Sequence, residues 1–217
     1  MRLVLRWVAV VMLALVLAPA APVRADPIGT ATADFGDLRP GKGETAFGRL
    51  VADAVRFAGK SDIGFVNAGA LRSGDLPAGP VDSDDLDALL TYGDDGVAVL
   101  TLSGAQIRAA LERAAGVYPT SSPAFLDCSG LTATFAPAEV AGGRVGDIRI
   151  KGRVIGDQDT FSASMPVSLA EGAAGYFNIW SGTESKEPGV DLRDAVSAYF
   201  RAHDPVAPAD DCRFGPG

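Results

Sequence analysis

The apolar residues of this chain change period at fixed points, and that change constrains the fold more than any single motif. Phe47, Leu50, Val51, Ala54, Val55 and Ala58 recur at helical spacing within 44–58, which predicts an amphipathic helix with one buried stripe. Asp62 to Val66 then reads as a short buried strand. Leu86, Leu89 and Leu90 share a helical face behind the candidate caps Asp82 and Ser83. Val97 to Leu102 reads as a strand, and Ser103 and Gln106 have the spacing of a capping box that opens a helix to about Ala115. Strand patterns follow at Leu131 to Phe135, at Val145 to Ile150 with a turn at Lys151-Gly152, and at Phe161 to Leu169. Asp191 begins a last helix through about Arg201, with Leu192, Val196 and Phe200 on its face. Early strands separated by helices, then consecutive strands, predict an α+β fold of mixed β-sheets with packed helices. Ala141-Gly142-Gly143 reads as a hairpin-like turn, so no internal boundary is expected.

The N-terminus reads as an address. Arg2 and Arg6 precede an apolar run from Trp7 to Leu17, and Val23-Arg24-Ala25 offers a small-residue cleavage site. Residues 1–25 are therefore expected to be a secretory signal peptide, which implies a secreted or periplasmic protein. The apolar core is too short to span a bilayer comfortably, and nothing after residue 25 reads as a membrane span. Net charge is -8, and a leader whose only charges are arginines leaves the mature chain more acidic still. Such a chain repels nucleic acid and anionic membrane surfaces. With 47% apolar residues in patterned runs, a buried core over 26–202 is expected rather than disorder. A Pro/Asp-rich tail follows over 203–217. Cys128 and Cys212, the only cysteines, are expected to form a disulfide in an oxidising compartment and to pin that tail.

The chain is poor in catalytic machinery. Its one histidine, His203, lies near the tail, and a two-metal phosphoesterase needs several imidazole and carboxylate ligands. Asp82-Ser83-Asp84-Asp85 lacks the later glycine and terminal glutamate of a calcium loop. The distant cysteines give no zinc signature, and Cys128-Ser129-Gly130 lacks the flanks of a nucleophile elbow. No catalytic residue, metal or cofactor is expected. Gly172-Ala173-Ala174-Gly175 could present backbone N–H groups to an anion or form a tight surface loop.

One segment stands out: Asn67-Ala68-Gly69-Ala70-Leu71-Arg72-Ser73-Gly74, directly after the apolar run. An arginine on a strand-to-loop crossing among small residues can point at an anion, and Gly69 lets the backbone approach closely. With Ile28-Gly29-Thr30, the run Gly48 to Ala54, and Gly172-Ala173-Ala174-Gly175-Tyr176 in this order, the chain resembles the C-terminal, substrate-binding domain of the 5'-nucleotidase and UDP-sugar hydrolase family. In that family an N-terminal domain carries the dinuclear metal site, and the C-terminal domain grips the nucleoside.

The resemblance implies that Arg72, with Asn67 beside it, contacts the ligand. It implies that Phe125 supplies one stacking ring and that the Gly172 to Tyr176 loop helps hold the ligand. Two features of the family pattern are missing. Its loop aspartate is Ala174 here, and its second ring falls at Ser168. Arg39 or Lys42 stands near the place of a further family arginine. The resemblance thus implies an exported, non-catalytic binding domain for a nucleotide or other polar small molecule, with eroded recognition. A specificity subunit completed by a separately encoded metallophosphoesterase, and an interaction protein without small-molecule binding, remain open.

Overall fold

The structure, a computed structural model, describes residues 25–36 and 39–217. Apart from Ala25, the leader expected over 1–25 lies outside the described residues. No helix among the described residues is long and apolar enough to cross a membrane.

The fold is α+β, built around a mixed five-stranded sheet. Its strands are β2 (Ile63–Asn67), β4 (Val97–Ser103), β5 (Leu126–Ser129), β9 (Thr160–Pro166) and β10 (Ser185–Lys186), in the order β10-β4-β9-β2-β5. β2 runs parallel to β9 and antiparallel to β5. Helices α1 (Ala46–Gly59), α2 (Ser83–Leu89) and α6 (Leu192–His203) join one apolar core, and α3 (Gly104–Ala115) joins the other. Two single-turn helices, α4 (Val167–Ala170) and α5 (Phe177–Trp180), lie between β9 and β10. Ile63 and Phe65 belong to the α3 side and Val66 to the α1 side, the alternation that a strand covered on both faces requires. A four-stranded sheet, β11 (Phe214–Pro216), β6 (Leu131–Phe135), β7 (Arg149–Ile150) and β8 (Arg153–Val154), shares the α3 core. A two-stranded ribbon joins β1 (Gly29–Ala31) to β3 (Gly79–Val81).

Local chemistry sets the element ends. Asp82 and Ser103 each complete a capping box, with Asp85 and Gln106. Thr45 caps α1 and Asp191 caps α6. Gly48 lets α1 lie on β5, since a Cβ there would come 2.2 Å from the Asp127 carboxyl carbon.

That contact belongs to a buried acidic centre. Asp127 is fully buried and accepts the Thr45 N–H at 2.7 Å, while its second oxygen has no partner. Burial pushes its pKa well above the usual carboxylate value, and the neighbouring Glu44 adds to the rise. Glu44 accepts the Cys128 N–H at 3.1 Å and the Arg213 N–H at 2.8 Å. Burial raises its pKa as well, against the pull of those backbone donors and of Arg49.

The expected disulfide is absent. Cys128 is a free thiol inside the core, and Cys212 is a free, exposed thiol. The tail is held by other means. Glu44 bridges β5 to Arg213, and Arg213 clasps Asp53 at 2.8 and 3.0 Å and the Cys128 carbonyl at 3.0 Å. β11 then pairs parallel to β6, with Phe214 wholly buried.

Candidate functional site

The segment singled out by sequence begins where β2 runs out. After Asn67 the chain makes one short 3-10 turn, Ala68 to Ala70, and crosses the end of α2. Leu71 bridges Leu90, the Arg72 N–H donates to the Leu89 carbonyl, and the Thr91 N–H donates to the Ala70 carbonyl. These bonds fix Arg72 at the surface. Among the described residues its exposed guanidinium makes only long bonds, 3.4 Å to the Asp87 carbonyl and 3.3 Å to the Thr91 carbonyl. A charged donor held so loosely is available to an anion or a polar ligand.

An aromatic ring stands close by, and it is not the one expected. Tyr92 follows Thr91 directly and is 61% exposed. Its turn is fastened from outside. The Arg193 N–H donates to the Gly93 carbonyl, and the Arg193 side chain bonds the Asp87 carboxylate at 2.5 Å. Asp95 accepts both the N–H and the hydroxyl of Ser168, at 3.2 and 2.6 Å. Arg72, Tyr92, Arg193 and Ser168 therefore surround one helix-to-strand turn. Ser168 lies in α4, and its hydroxyl is already committed to Asp95.

Phe125 does not face Arg72. It is wholly buried, with its ring centroid 5.7 Å from that of Phe214 and 6.5 Å from that of Tyr118. It touches the site only through its backbone, whose carbonyl accepts the Ala68 N–H at 2.8 Å. Tyr176 is likewise fully buried, and its hydroxyl donates to the Ala124 carbonyl at 2.6 Å. Burial pushes that phenol well above its ordinary range. The Pro123 carbonyl accepts both the Asn67 side-chain amide at 3.2 Å and the Gly69 N–H at 3.1 Å.

Residues 123–125 thus tie the Asn67–Gly69 turn to the Gly172–Tyr176 loop. That loop is closed on itself. The Gly172 N–H donates to Leu169, the Tyr176 N–H donates to Gly172, and the Ala174 carbonyl receives the Arg113 guanidinium through both Nε and Nη2. Arg113 also lies 5.3 Å over the Tyr176 ring. Arg113 and two internally bonded N–H groups make this loop a structural brace.

A small cavity of about 170 Å³ lies against Gly69, with Pro40, Ser73 and Ser122 in its wall. Among the described residues no group of three His, Cys, Asp or Glu side chains converges into a metal site. Sequence reasoning missed Tyr92 and Arg193. The signal was there for Tyr92: an aromatic residue in the turn Tyr92-Gly93-Asp94-Asp95-Gly96 fits no helical or strand period.

A family model described as "5'-nucleotidase, C-terminal domain" matches residues 27–180. The 5'-nucleotidase precursor of Thermus thermophilus superimposes with a TM-score of 0.80 at 22% identity, over 88% of this chain and 39% of that one. The NAD nucleotidase of Haemophilus influenzae gives 0.73 at 17%, over 88% and 38%. A putative 5'-nucleotidase from Staphylococcus aureus, solved with alpha-ketoglutarate, gives 0.73 at 16%, over 88% and 40%. At these identities the likeness is one of fold, and the chain spans about two fifths of each of these proteins. Among curated proteins none matches the sequence.

Proposed function

The chain belongs to the family of 5'-nucleotidase C-terminal domains, and from that premise we propose that it is an exported binding module without catalysis of its own. It holds a nucleotide or a related polar ligand on the face made by Arg72 and Tyr92. The observation that carries this reading is the pairing of a loosely held guanidinium with a ring that is 61% exposed, on adjoining segments. Arginine binds oxygen-rich groups bidentately, and a base stacked on one ring gains about 1–3 kcal/mol. Asn67 and Gly69 shape the turn that presents Arg72.

Recognition is eroded. Ala174 stands where the resemblance implies a ligand-holding aspartate, and Ser168 cannot complete an aromatic clamp. Export rests on the leader pattern of residues 1–25.

Calorimetric titration with AMP tests the site. The wild-type protein is expected to bind with a dissociation constant of about 0.1 mM or weaker. Tyr92→Ala and Arg72→Ala should each weaken binding about tenfold. Unchanged affinity in both folded variants refutes this face as the ligand site.

A further inference from the structure

A second cavity system lies at the opposite end of β2 from Arg72, where α1 ends and α6 passes over it. The first cavity, of about 540 Å³, has an aromatic wall. Tyr199 and His203 stack with centroids 4.1 Å apart, and Phe57 meets them edge-on at 5.9 and 5.2 Å. Phe57 is 44% exposed, so these rings are not sealed into the core. The second cavity, of about 380 Å³, adjoins it across Asp53 and Arg56 and has Arg149, Lys151 and Arg213 in its wall, with Asp211 3.3 Å from the Arg213 guanidinium. Both volumes fall within the range of about 300–1,000 Å³ usual for small-molecule sites.

The charges around this system do not cancel. Asp53 is committed to Arg213 at 2.8 and 3.0 Å and to the Ser129 hydroxyl at 2.5 Å. Lys151 pairs with Asp62 at 2.6 Å, and Arg149 lies 3.8 Å from Asp147. Among the described residues neither Arg56 nor Lys60 has an ion-pair partner, although both line the aromatic cavity. The Arg56 Nε is wholly buried and has no hydrogen-bond partner. The guanidinium rests against Gly130, where a Cβ would come within 2.9 Å of Nε. In a chain of net charge -8, an arginine beside an aromatic wall, without an ion-pair partner among the described residues, lacks the acceptor that buried donors normally have.

We propose that these joined cavities bind a small aromatic anion, its ring against Phe57, Tyr199 and His203 and its phosphate, sulfonate or carboxylate at Arg56 and Lys60. Aromatic walls take a planar ring, and a guanidinium takes an oxyanion through paired N–H bonds. The site is separate from the Arg72 face and stands whether or not that face binds nucleotide.

Phenyl phosphate titrated into the mature protein by calorimetry tests the assignment, with inorganic phosphate and phenol as charge-only and ring-only controls. Phenyl phosphate is expected to saturate and to bind about tenfold tighter than either control. Arg56→Met, which keeps the aliphatic stem, should weaken it about tenfold. Lys60→Gly guards against a misfolded Arg56 variant, because Lys60 has φ 51° and glycine accepts that backbone. It should weaken binding severalfold. Phenyl phosphate no tighter than inorganic phosphate overturns the proposal. So does affinity unchanged in folded Arg56→Met or affinity unchanged in Lys60→Gly.

Discussion

Replacing Phe125 by leucine separates a core residue from a ligand-facing one. The ring is wholly buried and is flanked by Phe214 at 5.7 Å and Tyr118 at 6.5 Å. Leucine is smaller by roughly 25 Å³, and a cavity of that size costs about 0.6 kcal/mol at ~24 cal/mol per Å³. The two ring pairs add about 0.5–1.5 kcal/mol each, with the Tyr118 pair near the outer limit of useful separation and so at the low end. Together these losses come to about 1.5–2.5 kcal/mol. In a domain of this size each kcal/mol lowers Tm by about 2–4 °C, so a fall of about 3–10 °C is expected. Urea unfolding followed by the fluorescence of Trp180, which is buried in the same core, measures the free energy. AMP titration of the same variant measures the site, and affinity should stay within about twofold of wild type, under 0.5 kcal/mol. A variant of unchanged stability with AMP affinity reduced more than about fivefold would refute the assignment of this ring to the core.

Three further expectations concern the scaffold. Gly48→Ala should cost about 1–3 kcal/mol by overpacking, because its Cβ would sit 2.2 Å from the Asp127 carboxyl carbon; an unshifted urea midpoint contradicts the close approach of α1 to β5. Burial raises the Asp127 pKa above 3.8, so the folded protein keeps a proton that the unfolded chain releases. That contribution to stability is full below the unfolded pKa and is lost as pH rises through the folded one. Asp127→Asn keeps an acceptor for the Thr45 N–H, and should flatten the pH dependence of Tm and melt above wild type at neutral pH; a steeper dependence contradicts this. In the folded protein a thiol reagent should label Cys212 quickly and buried Cys128 only after unfolding; absence of label on both under denaturing, non-reducing conditions would show a disulfide instead.

The helices were legible because their end signals are local. Ser103 with Gln106, Asp82 and Asp191 each act within one turn, and each caps the helix expected of it. The strand expected over Val145 to Ile150 shrinks to β7 and a single bridge from Val145 to Phe135, and side chains take up part of the remaining backbone. Glu112 takes the Val145 N–H at 2.7 Å, and Arg108 donates to the Val145 and Gly146 carbonyls at 3.1 Å each. The strand expected over Phe161 to Leu169 ends at Pro166, where α4 begins. β5 and β11 depend on partners far along the chain and carry little period of their own. At the site, Asn67 and Arg72 were legible because the turn motif is contiguous. Phe125 misled because a ring beside a motif does not reveal which way its strand turns it, and the pairing Gly64 to Ser129 through Asn67 to Leu126 decides that. Tyr92 was passed over because its exposure depends on Arg193 and Ser168 fastening the turn from two other elements.

A single ³¹P NMR titration of AMP with the mature protein, in excess Mg²⁺ or Zn²⁺, tests binding and chemistry together. The account predicts a saturable shift of the phosphate resonance, with a midpoint of about 0.1 mM or higher, and no growth of inorganic phosphate. Inorganic phosphate released at about 1 per second or faster, in step with the monomeric protein through purification, would contradict the account, as would a resonance that does not move.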